Sequence, residues 1–314
     1  MTGTINQLQK FCIGFVTTVL FFSMVSTIPQ FAFGLPSLDL TTRLEGNTTG
    51  IYYPMYNLDE LPQVLAAKEA FPNVPFNVNI NPASGPGTVP STDWANAIVK
   101  LRQAGVIVTG YVPTGYGEKN ITDVENMISS YDRFYPKMLD GIMLDEVSNS
   151  NFTYYKEISD YARSLGFSYI RANPGGSIWQ ENVPLYNQIA IYEGASYPNQ
   201  SILESRTFYP QYSKDTVGFG ATIHSEPTYD PNWLQMATKY LKWIYITDQT
   251  EPNPYTVFPS YFDQYLADLS GSSAINQQTT PEFGSFASQV FAISIIGVIF
   301  ASMQFGIFNI QRKK

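Results

Sequence analysis

Cysteine and histidine are almost missing from this chain. Its 314 residues include one of each, Cys12 and His224. A lone cysteine permits no intramolecular disulfide. One histidine and one cysteine cannot build a His/Cys zinc site, and Cys12 sits in an apolar N-terminal run, away from any folded domain, so a Cys-His dyad is excluded too. A Ser-His-Asp triad would have to use His224, and no Gly-x-Ser-x-Gly elbow is present. Charge is scarce as well, at 14% of residues against roughly 25% in soluble domains. Acidic side chains outnumber basic ones, 26 to 18, for a net charge of −8. That balance argues against a nucleic-acid partner, which requires basic patches. Carboxylates are the catalytic groups left, and no metal or organic cofactor is implied.

Aromatic residues are abundant at 15%, and 22 of them are tyrosines. A tyrosine-rich, charge-poor surface suits extracytoplasmic proteins and sugar contacts. Phe11–Ile28 is an apolar run after Lys10. It reads as a signal peptide, with small residues at Ala32 and Gly34 allowing cleavage, or as an uncleaved anchor, so residues 1–34 are set apart. Residues 286–308 form a second apolar stretch, long enough to span a bilayer as a transmembrane segment. The basic residues Arg312, Lys313 and Lys314 follow, so residues 309–314 are expected to be cytoplasmic and the preceding domain to lie outside. Between domain and anchor, residues 271–285 form a Ser/Gln/Thr-rich linker ending in Pro281-Glu282-Phe283-Gly284. This tail resembles the PEFG-type sorting signals of archaeal surface proteins. The resemblance implies a sorting protease as a partner and an envelope anchor after cleavage; a plain membrane anchor is the simpler alternative. Sequons at Asn47, Asn120, Asn151 and Asn199 are compatible with export.

Between the apolar ends, strand-like and helix-like patterns alternate. The strands are predicted at Ile51–Tyr56, Pro75–Asn81, Val106–Val112, Gly141–Glu146, Ser168–Asn173, Ile189–Glu193, Val217–His224 and Trp243–Asp248. Helices are predicted at Thr92–Ala104, Ile121–Tyr135, Phe152–Leu165, Pro231–Leu241 and Ser260–Leu269. Alternation of this kind implies parallel strands with right-handed crossovers. Eight units over about 220 residues predict an α/β fold closed as a (β/α)8 TIM barrel, one domain over residues 45–270. An open doubly wound sheet is the alternative, but no Gly-x-Gly-x-x-Gly follows the first strand.

Asp140-Gly-Ile-Met-Leu-Asp145-Glu146 is the stretch that most suggests chemistry. It is a short apolar run ending in two adjacent carboxylates. Two ionised carboxylates are costly to bury side by side, so they belong at a strand tip opening into a wet cleft. A strand ending in a solvated turn is the plain alternative. Ile189-Ala-Ile-Tyr-Glu193 again ends in a carboxylate. Glycoside hydrolysis needs two carboxyl groups across the scissile bond, and Asp145, Glu146 and Glu193 are the candidates; ion pairing with Arg171 or Arg206 is the competing explanation. In a barrel, the active site lies at the C-terminal ends of the strands. The ends supply Tyr53, Tyr56, Asn79, Asn81, Tyr111, Tyr116, Asn173, His224 and Asp248 as candidate substrate-binding residues. Asn and Tyr suit hydroxyl contacts and stacking on a sugar.

Tyr52–Tyr56, Asn81-Pro-Ala-Ser-Gly-Pro-Gly87, Gly110-Tyr-Val-Pro-Thr-Gly-Tyr-Gly117, Gly141-Ile-Met-Leu-Asp-Glu146, Asn173-Pro-Gly175 and the Tyr192-Glu193 strand resemble, in order, the spherulin-4 family. The resemblance implies a (β/α)8 glycoside hydrolase related to fungal galactosaminogalactan hydrolases and α-1,4-polygalactosaminidases. It places the family's catalytic candidates on Asp145, Glu146 and Glu193. The expectation is an envelope- or membrane-anchored, endo-acting glycosidase whose partner is a hexosamine-containing polysaccharide or surface glycan. A non-catalytic glycan-binding or structural surface protein on the same barrel is the alternative.

Overall fold

Every strand here carries two sets of side chains. One set must be covered by helices, and the other must fill the inside of a ring. The computed structural model describes residues 48–271, together with Leu40 and Arg43, all within one compact unit. Eight parallel strands close into a barrel in sequence order: β1 (Gly50–Met55), β2 (Phe76–Ile80), β3 (Ile107–Pro113), β4 (Gly141–Asp145), β5 (Tyr169–Ala172), β6 (Gln188–Gly194), β7 (Gly218–Ile223) and β8 (Trp243–Ile246). This is the (β/α)8 architecture that the alternation predicts, and each strand lies within a few residues of its expected place.

The surrounding helices are α1 (Leu61–Ala70), α2 (Thr92–Gln103), α3 (Ile121–Phe134), α4 (Phe152–Ser164), α5 (Gln200–Arg206), α6 (Pro231–Ala237) and α7 (Phe262–Leu269). A 3-10 turn, Gln180–Leu185, takes the place of a helix between β5 and β6. Caps start several helices as the sequence suggests. Ser91 accepts from the Trp94 amide at 3.3 Å, Asn120 from Thr122 at 2.9 Å and Asn199 from Ile202 at 3.0 Å. The sequon residues Asn120 and Asn199 therefore serve as N-caps. Helices α1 and α5 were not foreseen. Helix α1 buries Lys68 along with Val64 and Ala67, so no clean apolar stripe marks it; the Lys68 ammonium donates to the carbonyls of Pro72 and Val74. Helix α5 has seven residues and only Leu203 buried, too short for a periodic signal.

The outward set is apolar throughout. Ile51, Tyr53, Val78, Val108, Ile142, Leu144, Ile170, Ile189, Phe219 and Ile244 are fully buried in the main core beneath the helices. The inward set is unusual, because large and polar side chains share the space with glycine. Tyr52, Ile107, Tyr169 and Trp243 form a separate inner cluster. Asn77 donates to the Gln188 side-chain oxygen at 2.6 Å, and the Tyr169 hydroxyl donates to the same atom at 3.0 Å. Gly218 and Gly220 stand where Trp243 needs room, since a Cβ on Gly218 would lie 2.8 Å from the Trp243 Nε1. At Gly141 a Cβ would lie 1.6 Å from the Tyr169 carbonyl oxygen.

The two apolar end segments, the linker with its sorting-type motif, the basic tail and Cys12 lie outside the described residues. Among the described residues no helix is long and apolar enough to cross a membrane.

The Gly141 contact yields a stability prediction. Gly141→Ala cannot be absorbed by a side-chain rotation, because the clash is with backbone of β5. We expect a loss of at least about 3 kcal/mol in urea unfolding, or no folded protein; an unfolding midpoint equal to the parent's would show that β4 and β5 are not in this register.

Candidate active site

At the C-terminal mouth of the barrel a cleft of about 280 Å3 is lined by residues from β1 through β7 and by Tyr255, from the segment after β8. Three carboxylates reach it: Asp145 at the end of β4, Glu146 just beyond, and Glu193 at the end of β6.

Asp145 and Glu193 are joined by one atom. Asn173 Nδ2, just past β5, donates to Asp145 Oδ1 at 2.8 Å and to Glu193 Oε2 at 3.3 Å. The two hydrogens of an amide diverge, so one nitrogen serves both carboxylates and brings them to the same side of the cleft. Asn173 Oδ1 accepts from the Gly175 amide at 3.2 Å, which fixes the orientation of the side chain. Glu193 Oε1 accepts a short hydrogen bond from the Tyr255 hydroxyl.

Glu193 faces the cleft because of a bulge. In β6, Gln188 and Ala190 pair with Gly218 and Gly220, but the register then shifts, and Glu193 pairs with Thr222. Simple alternation from Gln188 would turn Tyr192 inward and Glu193 outward; the extra residue reverses the parity.

Asp145 is held by a clamp from the segment after β3. Buried Thr114 donates its backbone amide (3.0 Å) and its hydroxyl (2.9 Å) to the Asp145 carbonyl, and the hydroxyl also reaches the Glu146 carbonyl at 2.8 Å. Glu146 has a left-handed backbone, φ +53°, as does Tyr116 at φ +56°. Such geometry costs a non-glycine residue on the order of 1 kcal/mol and persists only where neighbours enforce it. Here the Tyr116 amide donates to the Glu146 carbonyl at 2.7 Å, and the Gly115 amide donates to Glu146 Oε2 at 3.0 Å. The Glu146 carboxylate is thereby tied to the rim, while Asp145 and Glu193 share Asn173.

Tyrosine hydroxyls face the acids as donors. Burial, and then the charges of Asp145 and Glu193, push Tyr56 up to about 12. Tyr111 is raised further by burial, by the charge of Asp145 and by its hydrogen bond to that carboxylate. Tyr255 is raised by burial, then by the charge of Glu193 and the hydrogen bond to it. All three stay protonated through neutral pH and keep a hydroxyl proton to donate within the cleft. Arg171 lies beneath them, 2% exposed, its guanidinium 3.2 Å from the centre of the Tyr52 ring. Among the described residues its Nε and Nη1 have no hydrogen-bond partner. Arg206 donates instead to the Ile191 carbonyl at 2.9 Å. Neither arginine forms an ion pair with the cleft acids among the described residues, so the ion-pairing explanation of those acids does not hold.

Of the binding candidates, Tyr56, Asn79, Tyr111, Tyr116 and Asn173 line the cleft with the three acids. Four others are placed elsewhere. Tyr53 is on the opposite parity to Tyr52 and packs outward against Phe258, with its hydroxyl donating to the Tyr255 carbonyl. Asn81 accepts from the Gly85 amide at 2.9 Å and shapes its own loop. His224 is buried, with Nδ1 3.0 Å from the Ser225 hydroxyl. Asp248 accepts from the backbone and hydroxyl of Ser260. Sequence reasoning missed Tyr52, Arg171, Thr222 and Tyr255 as lining residues. Counting back four residues from Tyr56 and two from Asn173 finds the first two. Tyr255 lies in an irregular segment, and no local pattern marks it. Among the described residues no group of His, Cys, Asp and Glu is arranged to hold a metal ion.

The family model for spherulation-specific family 4 matches residues 52–269, nearly the whole barrel. The chain belongs to the spherulin-4 family. It is similar to Spherulin-4 of Physarum polycephalum, at 37% identity over 120 residues, which span 37% of this chain and 36% of that relative. Its fold is similar to that of Aspergillus clavatus Sph3, solved in complex with GalNAc, at a TM-score of 0.64 and 23% identity, covering 72% of this chain and 98% of the other.

The bridge predicts its own failure. In Asn173→Leu the Asp145 and Glu193 carboxylates lose the donor between them and face each other as like charges. The side-chain carboxyl resonances of Asp145 and Glu193 should both move in carbon NMR, while that of Glu146, bound to the Gly115 amide, stays in place. Unmoved Asp145 and Glu193 resonances would mean that Asn173 does not hold the pair.

Proposed function

We propose that this chain is an extracytoplasmic glycoside hydrolase that cleaves within a hexosamine-containing polysaccharide of the galactosamine type. The observation that carries the reading is the pair Asp145 and Glu193 on the single Asn173 nitrogen. Membership of the spherulin-4 family and a fold like that of a protein crystallised with GalNAc support it. Export and anchoring rest on the apolar segments 11–28 and 286–308 and the basic tail.

Two acids that share one donor nitrogen suit a retaining mechanism, in which the carboxyl groups stand roughly 5–5.5 Å apart. One of Asp145 and Glu193 attacks the anomeric carbon while the other protonates the leaving oxygen. The second then deprotonates the water that releases the glycosyl ester. Glu146, bound to Gly115, keeps a third negative charge at the rim and orders the segment that holds Asp145. Tyr116 at the cleft lip is 63% exposed, and Trp179, on the segment after β5, is 53% exposed. Rings left this open offer faces to sugar units beyond the cleaved bond, as endo action on a polymer requires.

The test uses residues 45–270 with purified galactosaminogalactan and α-1,4-linked polygalactosamine. Oligosaccharides should appear by mass spectrometry, the first product should keep the anomeric configuration of the substrate by proton NMR, and Glu193→Gln and Asp145→Asn should each lose about 100-fold or more. Removing the nucleophile carboxylate altogether should allow azide to restore cleavage as a glycosyl azide, which assigns the roles. Trp179→Ala should raise KM for long chains several-fold while short oligomers are cleaved as before. Retention of the domain on the glycan without products would favour a binding protein instead.

A further inference from the structure

Six arginines lie among the described residues, and five of them donate hydrogen bonds to protein oxygens. Arg171 differs. It is buried, yet among the described residues it forms no ion pair, and its Nε and Nη1 have no acceptor. Its neighbours in the sheet cannot supply one. Met143, its partner on β4, carries only a thioether, a weak acceptor. Gln188, its partner on β6, already accepts on its side-chain oxygen from Asn77 and Tyr169. The Tyr52 ring, its centre 3.2 Å from the guanidinium carbon, covers a face of the group, whereas the N–H bonds point outward in the plane. Arg171 stands two residues before Asn173, so alternation turns both side chains into the ring, and both line the cleft with the three acids. Asn79, in the same cleft, has the converse need: its Oδ1 is buried and has no donor among the described residues.

Leaving the donors of a buried cation unserved is costly, and the cleft is where an acceptor can arrive from outside. We infer that Arg171 is a substrate-binding group on the cleft floor, donating to a neutral oxygen of the sugar, a ring hydroxyl or the carbonyl of an acetamido group. The inference rests on the glycosidase reading and adds to it the group that fixes the sugar from below. An ionised carboxylate can only accept, so Asp145, Glu146 and Glu193 can bind the hydrogens of a sugar. Arg171 can only donate, so it takes a lone pair. A hydroxyl offers both, and Asn79 supplies a further acceptor in the same cleft. A planar fork held flat on an aromatic ring presents its N–H groups in fixed directions, which the ammonium of a flexible lysine does not. Because these donors make no hydrogen bond to the described protein, losing them should weaken sugar binding without weakening the fold.

The experiment uses the full-length chain, with Arg171→Lys and Arg171→Met beside the parent. On galactosaminogalactan, kcat/KM should fall about 10-fold or more in Arg171→Lys and further in Arg171→Met, chiefly through KM. Arg171→Met should be at least as stable as the parent in urea, since it breaks no hydrogen bond or ion pair to a described residue. A lysine variant as active as the parent would reduce Arg171 to a counter-charge for the acids and overturn the inference. Lost activity together with a much weakened fold would do the same, by making the role structural. Nitrogen-15 NMR of the parent gives a readout independent of turnover and of any variant. The Arg171 Nε–H signal, assigned through its own backbone, should move on titration with N-acetylgalactosamine. Movement with galactose as well identifies a ring hydroxyl as the acceptor; movement with the N-acetylated sugar alone identifies the acetamido carbonyl. A signal that stays in place with both sugars overturns the inference. If the parent cleaves neither polysaccharide, the function assigned above fails, while the NMR titration still decides whether Arg171 holds a sugar oxygen.

Discussion

Two carboxylates held a few ångströms apart repel each other unless a donor stands between them. In this barrel that donor is one amide nitrogen, Asn173 Nδ2, and much of the mouth can be understood as support for it. The Gly175 amide turns Asn173 the right way. The Thr114 clamp fixes the backbone that carries Asp145. The bulge in β6 brings Glu193 round to the same nitrogen, and Tyr255 takes its other oxygen. Each element belongs to a different βα unit, so ring closure is what makes the pair possible.

Closure also explains the odd interior. A ring of eight strands has a fixed volume inside, and this one is filled by Trp243, Tyr52, Tyr169 and the Asn77–Gln188 pair against glycines at 141, 218 and 220. Arg171 stacks on Tyr52 and has no counter-ion among the described residues, directly under a cleft with three acids. A buried cation there offsets part of the negative charge above it, and the aromatic face compensates for some of its lost hydration.

The rim is organised by strain as much as by attraction. Glu146 and Tyr116 both adopt left-handed backbone, and each is held there by the other's segment. That arrangement removes Glu146 from the Asn173 pair and ties it to the loop after β3. Three carboxylates adjacent in space thus have different partners: an amide and a tyrosine for Glu193, an amide for Asp145, and a backbone N–H for Glu146.

The sequence alone determined the barrel. Eight apolar runs separated by helical patterns admit few other arrangements, and strand ends at Asp145, Glu146 and Glu193 announced a carboxylate site because each apolar run stops at an acid. It also implied most of the tyrosine and asparagine lining, wherever alternation by two held from strand to tip. Only the tertiary structure decided which acids form the pair, because that depends on a nitrogen from a third strand. Alternation along β6 points Glu193 away from the cleft, and a bulge that shows only when β6 is laid against β7 reverses it. The places of Tyr53, Asn81, His224 and Asp248 were likewise settled by packing, since a polar residue at a strand end can satisfy itself on its own loop as readily as on a substrate. Tyr255 comes from an irregular segment far along the chain, and local pattern carries no information about a contact made across 62 residues.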